Sequence, residues 1–118
     1  MKEIIALIRP EKAEDTKKAL EAIGLGAFTG RRVMGKGKMP IDISDGDGNV
    51  IMKSFLLPKR LLVIEAEDSD VERIVTIITL VNSTGAKGDG RIFVVPVESS
   101  YSIHSRKGLL KYKCFVFI

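Results

Sequence analysis

The chain has 118 residues, 45% hydrophobic and 29% charged, enough for one packed core and too short for a second, so a single domain is expected. The net charge of +4 comes from bases dispersed among acids, with one local cluster (Arg31, Arg32, Lys36, Lys38), and only 6% of residues are aromatic, which speaks against a stacking platform for single strands and leaves nucleic-acid binding as the lesser reading. No run approaches the ~18 apolar residues of a membrane span, Met1-Lys2-Glu3 does not open a signal peptide, and the single cysteine, Cys114, excludes an internal disulfide or a cysteine metal site. A cytoplasmic protein without membrane insertion is expected.

In chain order, Ile4 to Ile8 is a continuous apolar run suited to a central strand. Pro10 then opens a helix from Glu11 to Ile23, with Glu11 and Glu14 at its positive end, Ala13, Thr16, Leu20 and Ile23 on one face, and Gly24 where a left-handed C-terminal residue is wanted. Phe28 to Lys38 reads as a second strand that loosens through Gly35-Lys36-Gly37 into a polar loop reaching about Ser54. Lys59 to Glu65 is a third strand. Ser69-Asp70-Val71-Glu72 has the form of a capping box, which predicts a helix over Val71 to Val81 with Val71, Ile74, Val75, Ile78 and Val81 buried. Arg91 to Val97 is a fourth strand, and Pro96 places it at an edge or a terminus.

The order βαββαβ predicts an α+β, ferredoxin-like sandwich with a four-stranded antiparallel sheet. Helices on one face leave the other bare, and the first and third strands are apolar on both faces (Ile5 and Leu7, Leu61 and Val63 beside their neighbours). A closed symmetric oligomer with its sheets inward is the economical cover.

Between the second helix and the fourth strand lies Thr84-Gly85-Ala86-Lys87-Gly88-Asp89-Gly90-Arg91-Ile92-Phe93. By spacing alone, such a turn is a helix C-cap followed by a loop. Its glycines also permit the positive φ and close backbone approach of an anion nest, and Arg91 adds a fork suited to phosphate. This stretch resembles the C-terminal signature of the PII signal-transduction family, small trimeric regulators of nitrogen metabolism. Further agreement comes from Met1-Lys2-Glu3-Ile4, Arg9-Pro10, Val33-Met34-Gly35-Lys36-Gly37-Lys38 and Leu57-Pro58-Lys59, so the resemblance spans residues 1–108. The runs Leu57-Pro58-Lys59-Arg60 and Val81-Asn82-Ser83-Thr84-Gly85 look most like the second of the two PII-like subunits associated with nitrogenase.

That resemblance implies a trimer, or a heteromer with a paralogous PII-like subunit, binding ATP or ADP in clefts between subunits. Thr29, Gly35, Gly37 and Lys38 match the second-strand side of the nucleotide site, and Gly88, Asp89, Gly90 and Arg91 match the turn. The segment at about 37–55 matches the flexible T-loop that protein targets read, here nitrogenase, an ammonium channel or glutamine synthetase. With Asp42, Asp45, Asp47 and Asn49 it offers an acidic tip, and it has no tyrosine for uridylylation. Its acids do not complete a calcium loop, because the twelfth position is Leu56.

Two departures shape the expected ligands. Ser102 and His104 stand where the family carries two phosphate-gripping arginines. Forgoing two charge-assisted hydrogen bonds at about 1.5 to 3 kcal/mol each points to adenylate binding no tighter than micromolar. Met39 replaces a glutamine that holds Mg²⁺ for 2-oxoglutarate, and a thioether is a poor ligand for so hard a cation, so that effector is expected to bind weakly or not at all although Lys59 matches its carboxylate partner. Residues 109–118 form an apolar extension beyond the resemblance. A regulator rather than an enzyme is expected, since the only histidine, His104, has no evident orienting partner. The alternatives are a ferredoxin-like nucleic-acid-binding protein and a phosphate-transfer enzyme.

Overall fold

A computed structural model describes residues 1–25 and 27–104, with the backbone alone at 37–44 and 50–55. The elements are β1 (Lys2–Ile8), a 3-10 turn (Pro10–Lys12), α1 (Ala13–Ala22), β2 (Thr29–Ser44), β3 (Val50–Ala66), a 3-10 turn (Asp68–Asp70), α2 (Val71–Asn82) and β4 (Gly90–Pro96). The strands form one sheet in the order β2-β3-β1-β4, with every neighbouring pair antiparallel. This is the ferredoxin-like arrangement that the order of elements predicts. Pro96, which cannot donate to a ladder, closes edge strand β4.

Alternation along the strands puts Ile4, Ala6 and Ile8 of β1 and Leu62, Ile64 and Ala66 of β3 under the helices, where they meet Ala13 and Leu20 of α1 and Ile74 and Ile78 of α2. Each fully buried Ile or Leu contributes roughly 1.5–3 kcal/mol relative to exposure. Helix α1 ends as its sequence predicts. Gly24 has φ 86°, its N–H donates to the Glu21 carbonyl, and Leu25 N–H reaches back to the Leu20 carbonyl at 2.9 Å, closing a Schellman motif.

Three expectations are corrected. The capping box does not form: Ser69 lies inside the 3-10 turn, and the residue in extended conformation before that turn is Glu67, so Ser69 never takes the extended geometry a capping side chain needs. On α2, Val71, Val75 and Val81 are only half-buried, and the third fully buried residue is Asn82. Its Nδ2 donates to Thr16 Oγ1 (3.0 Å) and to the Ile78 carbonyl (2.8 Å), while the Thr16 hydroxyl donates to the Lys12 carbonyl (2.7 Å), so a polar bridge joins the two helices.

The third correction concerns the polar loop to Ser54. β2 and β3 run on as a two-stranded ribbon, pairing Ile41 with Ser54, Asp42 with Lys53, Ile43 with Met52 and Ser44 with Val50. The reversal is confined to residues 45–49. There Asp45 Oδ1 accepts from the N–H groups of Asp47 (2.9 Å) and Asn49 (3.0 Å), and Gly48 has φ 84°. Ile41, Ile43, Val50 and Ile51 flanking Asp45-Gly46-Asp47-Gly48-Asn49 are a hairpin pattern, and it outweighs the charge and glycine content that suggested a loop. The register slips between Lys36 and Ile41, where residues 37–40 of β2 stand against Phe55 alone. That bulge carries Gly37, Lys38, Met39 and Pro40, and Pro40 lacks the N–H a regular ladder needs.

Candidate functional site: the glycine-rich turn

The α2–β4 turn sits at the end of the sheet where β1 finishes and the body of β3 begins, and the side chains of Arg9, Asp89 and Lys59 hold it. Arg9, directly after β1, donates from Nη2 to the Lys87 carbonyl (2.6 Å) and from Nη1 to Thr84 Oγ1 (3.3 Å), and its Nη1 is ion-paired with Asp89 Oδ1 at 3.3 Å. Asp89 turns its carboxylate inward, accepting from the Thr84 N–H (2.8 Å), the Thr84 hydroxyl and the Gly85 N–H (3.1 Å). Those bonds, led by the Thr84 hydroxyl, hold its pKa below the usual carboxylate value, with Arg9 adding to the effect. Asp89 thus shapes the turn, and its carboxylate is already engaged.

Lys59 of β3 makes the second tether, its Nζ donating to the Gly88 carbonyl at 2.6 Å. Burial foremost, and then the charge of Arg9, lower its pKa from the usual lysine value. Its stem lies over Gly35, where an added Cβ would stand 3.4 Å from Lys59 Cγ. Glycine at 35 therefore leaves room for the lysine that joins β3 to the turn. Among the described residues no hydrogen bond engages the Gly88 N–H, and Gly88 has φ 88°. Gly90 is needed for another reason. At φ 124° its backbone lies so close to β1 that a Cβ would fall 2.0 Å from the Leu7 carbonyl oxygen.

Arg91 is exposed beside the turn, its guanidinium carbon 5.9 Å from the Phe93 ring centroid. A cleft of about 370 Å³ adjoins it between α2 and β4, lined by Val75, Ile78, Asn82, Gly90, Arg91 and Ile92 among others. Buried Asn82 Oδ1 has no hydrogen-bond partner among the described residues. With Arg9, Lys59, Lys87 and Arg91 against Asp89, the ground around the turn is positive.

The predicted residues are thus only partly brought together. Gly35, Lys59, Gly88, Asp89, Gly90 and Arg91 gather at one end of the sheet. Thr29 does not: it pairs with Val63, six residues along β2 from Gly35, or roughly 20 Å at ~3.3 Å per residue. Gly37 and Lys38 follow on the same strand; the side chains of Lys38 and Met39 lie outside the described residues, as does that of Asp42, whose backbone pairs with Lys53. Asp47 and Asn49 are exposed at the ribbon tip beside Asp45, and Ser102 and His104 are exposed after β4. Arg9 was missed as a site residue, although a base closing an apolar strand just before a helix-opening proline was the available signal.

Comparison with known proteins bears on the same turn. The family model described as nitrogen regulatory protein P-II matches residues 1–107. The chain is 38% identical over 113 residues to nitrogen fixation nifHD region glnB-like protein 2 of Methanococcus maripaludis, covering 89% of this chain and 93% of that relative. It is 38% identical over 109 residues to the GlnB-like protein 1 of Methanothermobacter marburgensis, covering 91% and 97%, and 39% identical over 105 residues to the nitrogen regulatory protein P-II 2 of Methanothermobacter thermautotrophicus, covering 89% and 90%. Ferredoxin-like topology, a glycine-rich turn pinned at the sheet end and a match along nearly the whole chain agree: this chain belongs to the nitrogen regulatory protein P-II family.

Proposed function

We propose that this chain is a regulator of nitrogen metabolism that binds ATP or ADP at the glycine-rich turn and passes that state to a protein target through the β2–β3 ribbon. The carrying observation is the turn itself, held by Arg9, Lys59 and Asp89 and bordered by Arg91, with no hydrogen bond from the Gly88 N–H among the described residues. A preorganised nest beside several cations suits a di- or triphosphate. Thr29 is roughly 20 Å away along its strand, so it serves this turn only from a neighbouring subunit. The site is accordingly read as an inter-subunit cleft, in a homotrimer or with a paralogous subunit. The nifHD names of the relatives favour a nitrogen-fixation target, nitrogenase before an ammonium channel or glutamine synthetase. Regulation, not catalysis, is the role.

Calorimetric titration with ATP and ADP tests the reading. Binding no tighter than micromolar is expected, and it should be lost in Arg91→Ala. Binding unchanged in Arg91→Ala would overturn the assignment of the turn. Adding 2-oxoglutarate and Mg²⁺ should produce little further heat, and Met39→Gln should strengthen that response.

A further inference from the structure

The β2 edge of the sheet carries a second feature that the glycine-rich turn does not use. A depression of about 140 Å³, less than half the size of the cleft at the turn, opens between α1 and the β2–β3 pair. Its apolar side is Ala13, Phe28 and Leu62 and its basic side is Lys17 and Arg60; no carboxylate among the described residues lines it. Arg31, which pairs with Leu61, borders it from the strand and projects its side chain from the opposite face of the sheet. Glycine at 30 keeps it open, because a Cβ there would stand 3.4 Å from Leu62 Cδ2. Arg32 adds a third base. It lies directly across the ladder from Arg60, on the helix-covered face shared with Leu62.

Like charges directly opposite one another in a sheet are destabilising. Among the described residues the guanidinium groups of Arg32 and Arg60 have no ion-pair partner. Lys17 has only Glu14, one helical turn away at 3.4 Å and exposed. A small concave site walled by bases and free of acids focuses positive potential, and guanidinium forks match a tetrahedral oxyanion. The geometry points to a second anion site here, for a small dianion: inorganic phosphate or the phosphate group of a monoester. A bound dianion would neutralise the Arg32–Arg60 opposition that no ion pair among the described residues relieves.

The test is a titration of the ¹⁵N-labelled full chain with inorganic phosphate, followed by amide shifts, with ionic strength held constant by sodium chloride. Saturable shifts at Lys17, Gly30, Arg31 and Arg60 are expected. They should persist in Arg91→Ala, which separates this site from the turn, and weaken at least tenfold in Arg60→Gln. Gly30→Val keeps every cation but fills the depression, and it should abolish the response. Glycerol phosphate in place of phosphate distinguishes an ester ligand, expected to bind at least as well, from the free ion. Shifts that grow linearly at constant ionic strength, shifts confined to residues 84–91, an Arg60→Gln protein that titrates unchanged, or saturable binding of a single-stranded oligonucleotide without any response to phosphate would each overturn the proposal.

Discussion

Gly85 and Gly90 bracket the turn, and both hold positive φ, 80° and 124°, yet their surroundings differ. Gly85 has no atom within 4 Å of an added Cβ, whereas the same atom at Gly90 collides with the Leu7 backbone at 2.0 Å. Gly85→Ala should therefore cost about 1 kcal/mol of backbone strain, and Gly90→Ala about 3 kcal/mol or more, because β1 itself must move. Urea unfolding compares them, and equal losses would show that the close approach to β1 is not kept in solution. Asp89 supports a pH prediction at the same scale. Its folded pKa is depressed by the Thr84 hydroxyl, by backbone N–H groups and by Arg9, so its contribution is fully present above the unfolded carboxylate range and is lost as pH falls through the depressed value. The Asp89 carboxyl carbon and the Thr84 and Gly85 amides should share one NMR inflection below 3.8, moving upward in Arg9→Gln. An inflection at or above 3.8 would mean that the carboxylate does not hold the turn.

Among the elements, the β2–β3 ribbon has the least support from the core. From Lys36 to the turn, β2 pairs only with residues 50–56 of β3, so the stability of its outer part depends on its own ladder and on the Asp45 turn. Asp45→Ala removes one carboxylate that receives two N–H groups. The expected loss is about 1 kcal/mol, confined to the ribbon: amide exchange at residues 41–54 should quicken about fivefold while the global urea midpoint stays in place. A fall in the global midpoint would show that the ribbon is part of the cooperative core. The bulge at 37–40 makes the joint between body and ribbon, so a ligand held against Gly35 and Gly37 would bear on the ribbon's angle.

At the scale of the molecule, the sheet face away from the helices has no second layer among the described residues. Ile5, Leu7, Leu61 and Val63 are half-buried, while Phe93 and Val95 are 46% and 41% exposed on the same face. A contiguous apolar surface of this kind favours a closed assembly. Light scattering at micromolar concentration should give three times the chain mass, and Val63→Asp, which places a charge at the centre of that face, should dissociate it. A monomeric unmodified chain, or a trimer indifferent to Val63→Asp, would remove the basis for a cleft between subunits.

Local chemistry made much of this protein legible in its sequence. Ile4 to Ile8 defined a central strand, the spacing of Ala13, Thr16 and Leu20 a buried helix face, Gly24 a left-handed stop and Pro96 an edge, because each depends on neighbours within a few residues. The positive φ of the glycines in the α2–β4 turn was legible for the same reason. Other features came only with the tertiary structure. Ser69 looked like a cap, but the path of the chain through a 3-10 turn left it no capping geometry. Asn82 lies outside the apolar stripe of α2 that the spacing predicts, and Thr16 on the other helix makes its burial tolerable. Arg9 and Lys59 lie 78 and 29 residues from the carbonyls they hold, so their roles depend on β1, β3 and the α2–β4 turn meeting at one end of the sheet. Periodicity encodes which face of an element is buried; the register of distant strands decides which charges meet, and that register is a property of the assembled sheet.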